Sequence, residues 1–489
     1  MSKLLCGFLL VCICAIGFLL RIYHLTVPSL WFDELMTAGR INYSLVQTIQ
    51  NLFVSPFPPL YYIFMNLWVK IFSLSEFSLR FPSVVFSTLT IPLVYLLAKE
   101  IFDKRTALIS ALLVSISPFS INYAQDAKMY SMLWFFEGLS FYYFLKFVKT
   151  TATRSLVAYV IFSILSLYTL YAGFIFLITQ NLIFFMLFYR TRRKAWLVGQ
   201  LAIALAFVFW LPVFFYNAGV KTGFAWIAPI KDYGLVLKET FAYVTGIAIG
   251  GGRYLRLELL LFAFLILFGF IMSQKTKRVT DKVLWFGANK TIALFILWIC
   301  LPVIILIVLQ YCGVPLFVIR YVGFIYIPLL ILIARGLCGM TARYVLLALA
   351  GIMYLTVSLH LIPYYTYGLK INVEDWRGIC AQLRSVIKNN DAVYYSGVGH
   401  LQLEYFVQGL KVYLPGKQIP AFDDEAKKRI VRERKDAFFI IFAYHDPGLR
   451  QLPGYVFKKN VSRRSIDRYD VTTSSSERTI GFAWFQRTM

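Results

Sequence analysis

The chain contains 489 residues, of which 59% are hydrophobic, 18% are aromatic and 15% are charged, and its formal net charge is +25. Soluble domains average about 25% charged residues, so this composition excludes a soluble protein over most of the length. The Lys and Arg residues form short clusters between long apolar runs. That pattern is typical of loops that orient membrane helices and argues against a nucleic-acid-binding surface.

Apolar runs that are long enough to cross the hydrocarbon layer recur along the first three-quarters of the chain. They predict an α-helical polytopic membrane protein with about 11 transmembrane helices and additional interfacial helices. The runs are Leu4–Leu20, Phe81–Ala98, Thr106–Ile121, Tyr130–Val148, Leu156–Tyr171, Ala172–Tyr189, Ala195–Phe215, Leu259–Met272, Thr291–Tyr311, Pro315–Ala334 and Val345–Leu361. No small-residue cleavage pattern precedes Arg21, so we expect the first run to remain as an anchor.

A shorter apolar stretch, Leu60–Leu74, decides the predicted orientation. If it crossed the membrane, the dense basic loops would face outward, against the usual cytoplasmic preference of Lys and Arg. Because it is short and follows three prolines, we predict that it lies at the interface. The N-terminus is then cytoplasmic, and we expect the chain to lie in the plasma (inner) membrane. The predicted outer face carries Arg21–Arg80, Asn122–Met129, Tyr216–Glu258, Cys312–Val314 and everything after about Ile362.

The character of the chain changes near Tyr364, where charge rises and the apolar runs shorten. An amphipathic pattern at Glu374–Ile387 predicts a helix, and the apolar segments Ala392–Tyr395 and Phe438–Phe442 predict short buried strands. We therefore predict a transmembrane domain over residues 1–362 and a small extracytoplasmic α/β domain over residues 363–489.

Acidic residues are scarce, so their positions carry information. Asp33 and Glu34 follow the first apolar run, and Asp126 lies in the second predicted outer loop. A carboxylate at a low-dielectric boundary suits a general base, because desolvation favours its protonated form. The structural alternative is that Asp33 caps a helix beginning near Leu35 and that Asp126 pairs with Lys128. The local pattern leaves both interpretations open.

Cationic side chains on the same predicted face are candidates for binding a phosphate. The leading candidate is Arg320, which is followed by Tyr321, because a guanidinium can form a two-pronged contact with phosphate. The alternative is that Arg320 snorkels to the lipid head groups, as an Arg at this depth commonly does. Lys128 and Arg253 are weaker candidates. His24, His360, His400 and His445 show no zinc-binding spacing, so no metal site is predicted, and no Gly-rich phosphate-binding loop is present in the sequence.

Several short motifs, taken together and in order, resemble the GT-C superfamily of membrane glycosyltransferases, nearest to the protein O-mannosyltransferases and lipid A aminoarabinose transferases. The matching segments are Trp31-Phe32-Asp33-Glu34, Pro58-Pro59-Leu60-Tyr61-Tyr62, Glu76-Phe77-Ser78-Leu79-Arg80-Phe81-Pro82-Ser83, Ser117-Pro118-Phe119 with Tyr123-Ala124-Gln125-Asp126-Ala127-Lys128-Met129-Tyr130, and the later Arg320-Tyr321 and Asp375-Trp376-Arg377. The likeness is good to about Tyr189, fades through the middle of the chain and returns at Arg320.

This resemblance implies an enzyme that transfers a sugar from a polyprenyl-phosphate carrier, which is its lipid-linked donor substrate. The sequence identifies no further cofactor. Asp33 is then the base, and Glu34 and Asp126 orient the acceptor or the base. Arg320 and Lys128 neutralise the leaving phosphate. Other predicted substrate-binding residues are Tyr321, Tyr61, Tyr62 and Tyr130. One position departs from the family, because Phe57 occupies the place of the His or Lys that often precedes Pro-Pro.

Other functions remain open at this point. A polytopic transporter or flippase of lipid-linked or small solutes also has many spans, but the sequence shows neither paired inverted repeats nor broken midplane helices. Two further alternatives are a receptor or assembly factor without catalysis, and a glycan ligase that uses a diphosphate-linked donor. The expected partners are membrane lipids, the donor, and a glycan, lipid or protein acceptor, with no nucleic acid.

Overall fold

The computed structural model describes residues 2–219, 232–246, 255–274, 287–314, 316–340, 342–366, 372–386, 392–396, 408–410, 412–413, 437–443, 451–452, 455–467 and 478–487. The chain forms two compact units. The first, here called the helical unit, comprises Met1–Tyr23, Leu52–Tyr61 and Phe81–Leu369. The second, here called the mixed unit, comprises His24–Asn51, Tyr62–Arg80 and Lys370–Met489. Two N-terminal segments thus group with the C-terminal residues, which a division of the sequence at residue 362 does not anticipate.

Helices make up most of the described chain, and most of these helices form from long runs of apolar residues. In chain order they are α1 Lys3–Ile22, α2 Phe32–Ile41, α3 Leu45–Phe53, α4 Pro59–Phe72, α5 Glu76–Ile101, α6 Lys104–Ile116, α7 Pro118–Ala124, α8 Tyr130–Thr150, α9 Thr153–Thr169, α10 Gly173–Ile183, α11 Arg193–Val208, α12 Leu211–Gly219, α13 Tyr233–Val244, α14 Leu255–Gln274, α15 Ala288–Tyr311, α16 Tyr326–Cys338, α17 Ala342–Leu355, α18 Ile362–Thr366 and α19 Trp376–Val386.

Among the described residues, four helical segments are long and apolar enough to cross a membrane: Lys3–Ile22, Glu76–Ile101, Asn289–Tyr311 and Arg343–Thr366. The number rises to six if each of two bent pairs is one span. These pairs are α6 with α7, bent by 55°, and Arg193–Val208 with Leu211–Asn217, bent by 65°. The protein is therefore an integral membrane protein with several apolar helices. The count of 11 spans stays a prediction.

Besides these two bent pairs, a third predicted span is not one continuous helix. In place of Pro315–Ala334, the structure has single 3₁₀ turns at Ile319–Tyr321 and Gly323–Ile325, followed by α16. At Gly323 the backbone lies against the indole of Trp134, and an added Cβ atom would overlap that ring. This tertiary contact accounts for a break that apolar length alone does not reveal.

The stretch predicted to lie at the interface, Leu60–Leu74, forms the helix α4 of 14 residues. At 1.5 Å per residue such a helix is about 21 Å long, shorter than the hydrocarbon core of about 30 Å. The length is consistent with the interfacial prediction.

Arg21 ties together several helices of the helical unit. It lies at the end of α1, is fully buried, and its guanidinium donates to the Ser87 hydroxyl and to the main-chain oxygen of Ser115, at 2.8 and 2.9 Å. Further bonds reach Gly17, Val114 and Ser120. A buried cation is tolerated only when its donors are satisfied, so these bonds fix α1 against α5, α6 and α7.

The C-terminal part of the mixed unit contains a six-stranded sheet. Its strands are β1 Asn372–Val373, β2 Ala392–Ser396, β3 Ala437–Ala443, β4 Gln451–Leu452, β5 Tyr455–Asp467 and β6 Arg478–Arg487. The order is β1-β5-β6-β3-β2, with β4 paired to β5. β2 and β3 are parallel and the other pairs are antiparallel. β2, β3 and α19 lie where the sequence pattern predicted two strands and a helix.

Candidate active site

In the mixed unit, Asp33 occupies the first turn of α2, a helix that is buried from Glu34 onward. Every residue from Glu34 to Ile41 is buried, whereas Asp33 and the preceding Phe32 are partly exposed. The helix contains three charged side chains, and the other two, Glu34 and Arg40, are 0% and 8% exposed. Asp33 is therefore the one charged group of α2 that a ligand can reach.

Glu34 has a different environment from its neighbour. Its carboxylate forms a two-pronged ion pair with Arg80, with Oε1 2.7 Å from Nε and Oε2 2.5 Å from Nη2. Both side chains are 0% exposed. Oε2 also accepts from the main-chain N–H of Trp31 at 3.2 Å, so the carboxylate caps the helix that contains it. These contacts make Glu34 an internal anchor of the loop.

Arg80 completes this anchor by holding the loop that leads into α2. Its guanidinium donates to the main-chain oxygens of Leu25, Pro28 and Ser29 at 2.8 to 3.0 Å. Since all of these bonds converge on one planar group, the loop has little freedom to change shape. The backbone on the N-terminal side of Asp33 is thereby fixed.

Tyr62 also belongs to the mixed unit and packs beneath α2. It is 0% exposed, its hydroxyl accepts from Arg40 at 3.2 Å, and the guanidinium of Arg40 lies 5.5 Å from its ring centre. In this structure Tyr62 therefore supports α2 through Arg40.

In the helical unit, a tight turn between α7 and α8 carries Asp126 and Lys128, each 4% exposed. The Lys128 N–H donates to the Asp126 carbonyl at 2.8 Å, and the Lys128 carbonyl accepts from Ser83 at 3.2 Å. The amide of Gln125 donates to the main-chain oxygens of Arg21 and Tyr23 at 3.0 and 2.7 Å. These bonds secure the turn to the end of α1 and to Ser83 in the N-terminal third of α5.

The Lys128 ammonium lies 5.8 Å from the centre of the Phe57 ring, which is cation–π distance. The structure thus places a cation beside the residue where the sequence departs from the family pattern.

Arg320 lies on the first 3₁₀ turn before α16, partly exposed, with its guanidinium 5.6 Å from the ring centre of Tyr130. The ring of Tyr130 packs on Tyr123, whose hydroxyl is 2.8 Å from that of Tyr243. Burial is the main reason that the pKa of Tyr243 lies above its usual value, while the bond with Tyr123 and the charge of Arg320 act to lower it. Tyr243 therefore stays neutral beside Arg320.

The structure distributes the predicted site residues over both units. Asp33, Glu34 and Tyr62 belong to the mixed unit. The helical unit contains Asp126, Lys128, Tyr130, Arg320 and the partly exposed Tyr321, together with Tyr61, which is 2% exposed. Arg253, His400 and His445 lie outside the described residues. Within the described residues, no group of three or more His, Cys, Asp or Glu side chains is arranged to hold a metal ion.

Sequence reasoning missed the contacts that organise these residues. Arg80 was visible only as part of a motif, and Tyr243 and Glu374 had no assigned role. Glu374 accepts from the main-chain N–H of Phe32 at 2.7 Å, although 342 residues separate them. In the sequence, the one indication that Glu374 belongs near the site is its position next to the motif Asp375-Trp376-Arg377.

Comparison with known proteins gives this arrangement a context. Residues 57–216 match the model of a family described as dolichyl-phosphate-mannose-protein mannosyltransferase. The apo structure of ArnT from Cupriavidus metallidurans is similar to this chain with a TM-score of 0.59 and 12% identity, covering 88% of this chain and 92% of that one. The chain has the fold of the GT-C membrane glycosyltransferases. The resemblance inferred from the sequence motifs is thereby confirmed.

Two further structures with the GT-C fold were solved with lipid phosphates. ArnT from C. metallidurans bound to undecaprenyl phosphate gives a TM-score of 0.58 at 12% identity, covering 97% of both chains. The oligosaccharyltransferase AglB from Archaeoglobus fulgidus, in complex with an inhibitory peptide and a dolichol-phosphate, gives 0.52 at 14% identity, covering 90% of this chain and 69% of that one. No curated protein sequence is significantly similar to this chain.

Proposed function

We propose that this protein is a glycosyltransferase that moves a sugar from a polyprenyl-phosphate carrier to an acceptor at the outer membrane face. The observation that carries the proposal is the accessibility of Asp33, the one charged side chain of α2 that a ligand can reach. The GT-C fold supports the enzyme class, and the undecaprenyl phosphate and dolichol-phosphate in two structures with this fold support the donor class.

The proposed reaction is an inverting displacement at the anomeric carbon. The Asp33 carboxylate takes the proton from an acceptor hydroxyl or amine as the acceptor atom attacks that carbon. The bond between the anomeric carbon and the phosphate oxygen breaks, and its electron pair stays on the oxygen. The products are the glycosylated acceptor and polyprenyl phosphate, whose negative charge must be stabilised as it develops.

Lys128 and Arg320 supply the positive charge that the leaving phosphate requires. The Lys128 ammonium contacts the Phe57 ring, so it would supply a cation next to the position where the family resemblance implies a His or Lys. Arg320 is partly exposed, and its planar guanidinium suits a two-pronged contact with phosphate. Asp126, in the same turn as Lys128, orients the acceptor or the Lys128 ammonium.

The orientation follows from the basic loops. We propose a plasma (inner) membrane location, a cytoplasmic N-terminus and an extracytoplasmic C-terminal α/β domain. The supporting pattern is the alternation of dense basic loops with loops that contain the candidate site residues.

A direct assay distinguishes this function from its alternatives. The purified protein in lipid vesicles is given undecaprenyl-phosphate-linked hexoses and pentoses whose sugars are labelled. An extract of the cells that naturally make the protein supplies the acceptors. The proposal predicts that one donor releases undecaprenyl phosphate and labels an acceptor. Movement of intact donor across the vesicle without release indicates a flippase, and use of only diphosphate-linked donors indicates a ligase. Either result contradicts the proposal.

A further inference from the structure

We propose that Glu374, from the C-terminal segment of the mixed unit, is a positioning residue for the Asp33 carboxylate. The inference rests on the proposed function, because it assigns to Asp33 the role of general base. It also gives the C-terminal segment a part in the reaction, since that segment holds in place the helix end that carries the base.

The first turn of α2 lacks a cap from its own N-cap residue. The first N–H groups of a helix have no intrahelical partners, and Ser, Thr, Asp or Asn at the N-cap normally supplies an acceptor. Here the N-cap residue is Trp31, whose indole N–H is a donor only and makes no capping bond. The N–H groups of this turn that have no intrahelical acceptor must find acceptors elsewhere.

Glu374 supplies one of those acceptors from a distant part of the chain. Its carboxylate oxygen Oε2 accepts from the main-chain N–H of Phe32 at 2.7 Å, and its main-chain oxygen accepts from the hydroxyl of Ser29. Glu374 is 4% exposed, so the bonds are sheltered from water. A negative charge at this end of a helix is also favourable, because it opposes the positive end of the helix dipole.

The backbone is held by hydrogen bonds both before Asp33 and at Asp33 itself. The N–H of Trp31 is bonded to Glu34, and the N–H of Phe32 is bonded to Glu374. The carbonyl of Asp33 accepts from Thr37 one turn further along α2, at 3.1 Å. The backbone that carries the base is therefore held on both sides, and Glu374 holds the N–H immediately before it.

The carboxylate of Glu374 is itself held in one orientation. The same oxygen accepts from the indole N–H of Trp376 at 2.6 Å, and Trp376 is 0% exposed. Trp376 opens α19, whose residues Ile379 and Leu383 are also 0% exposed. Because the indole is locked in this core, the acceptor that it orients is pre-organised for α2.

Two more contacts bring the C-terminal segment to the same loop and helix. The hydroxyl of Tyr413 accepts from the N–H of Leu30 at 2.7 Å and donates to Glu76. Gly409 is buried and lies so close to the backbone of Leu35 that an added Cβ atom would collide with it. These contacts act on residues on both sides of Asp33, so the C-terminal segment restrains α2 at more than one point.

The test compares steady-state kinetics of full-length variants on the undecaprenyl-phosphate-linked donor that the wild-type protein consumes fastest. Glu374→Ala removes the acceptor, and we expect kcat per folded molecule to fall about 10- to 100-fold with donor KM within about twofold, since a misplaced catalytic group costs rate. Glu374→Gln keeps an oxygen for both donors, and we expect activity within about threefold of wild type. Trp376→Phe removes the indole N–H that orients the Glu374 carboxylate, and we expect a milder loss of kcat. This variant keeps the inference testable if Glu374→Ala does not fold.

The matched control is Asp375→Asn. Asp375 neighbours Glu374 and accepts from the N–H of Gly378 at 2.9 Å, a bond that an Asn side chain can keep. We expect this variant to match wild type. If Glu374→Ala and Trp376→Phe turned over as fast per folded molecule as Asp375→Asn, Glu374 would have only a structural role and the inference would be wrong.

A double-variant cycle separates this inference from the proposed function. In the Asp33→Asn background, Glu374→Ala is expected to cause little additional loss, because the group that it positions is already disabled. A fully additive loss would place the effect of Glu374 elsewhere and overturn the inference. Wild-type turnover by Asp33→Asn alone would instead remove Asp33 as the base and so contradict the proposed function itself.

Discussion

Glu34 and Arg80 form a fully buried two-pronged ion pair, with Nη2 2.5 Å from Oε2, that joins the first turn of α2 to the beginning of α5. Glu34 also accepts from Trp31, and Arg80 also donates to three carbonyls of the preceding loop. The two adjacent carboxylates thus have different environments, because Glu34 is fully buried and its neighbour Asp33 is partly exposed. The pair provides the first prediction.

Arg80→Ala should destabilise the protein strongly. It leaves the Glu34 carboxylate buried without its cation, a change that typically costs about 3–5 kcal/mol. Thermal unfolding of the purified protein in detergent measures the effect. The control is Arg377→Ala, which removes a partly exposed ion pair with Glu76 and should cost about 0–1 kcal/mol. Equal, small shifts in both variants would show that the Glu34–Arg80 pair does not hold this region.

Lys128→Met should raise the donor KM about tenfold, because Met preserves the length of the side chain and removes its charge. Introducing Phe57→His into that variant should recover part of the loss at a pH where the imidazole is charged. The control is Lys146→Met, since the Lys146 ammonium also lies over an aromatic ring, at 4.8 Å from the centre of Tyr142. Donor kinetics measure all three variants. An unchanged KM for Lys128→Met would exclude Lys128 from phosphate binding.

Arg320→Ala should impair donor use more than Arg320→Lys, because Lys keeps the charge and loses the two-pronged geometry. The expected order of kcat/KM is wild type, then Lys, then Ala. Arg335→Lys is the matched control, since its guanidinium also lies beside an aromatic ring, 5.4 Å from the centre of Phe102. If both Arg320 variants kept wild-type donor kinetics, Arg320 would serve only as a membrane anchor.

The orientation can be tested by labelling intact cells with a membrane-impermeant maleimide. In a background without the seven native cysteines, Ser474→Cys should react from outside, and Lys277→Cys should react only after the membrane is permeabilised. The prediction follows from the distribution of basic loops. Labelling of intact cells at position 277 alone would reverse the proposed topology.

The helices were more predictable from sequence than the site. Apolar length predicts α1, α5 and α15 because each contains a run of apolar residues long enough to cross the hydrocarbon layer. It failed at Pro315–Ala334, where a close approach of Gly323 to Trp134 depends on tertiary packing. Asp33 could be singled out because carboxylates are scarce near an apolar run.

The distinct role of Glu34 could not be predicted in the same way. Its partner Arg80 is 46 residues away, and the cap that Glu374 gives to Phe32 spans 342 residues. Periodicity and local charge report contacts within a few residues, whereas these bonds depend on the fold. Motif likeness singled out Glu34 and placed it next to Asp33, the proposed base, but only the buried ion pair shows what Glu34 contacts.

The most direct test of the account is the turnover of an undecaprenyl-phosphate-linked sugar by Asp33→Asn, compared with wild type at equal amounts of folded protein. The amide is nearly isosteric with the carboxylate and cannot accept the acceptor's proton, so the fold should survive and kcat should fall about 10²–10⁴-fold. Glu239→Gln, a change to a carboxylate on α13, controls for the loss of one charge. Near-normal turnover by Asp33→Asn, with the wild-type enzyme active, would contradict the central claim.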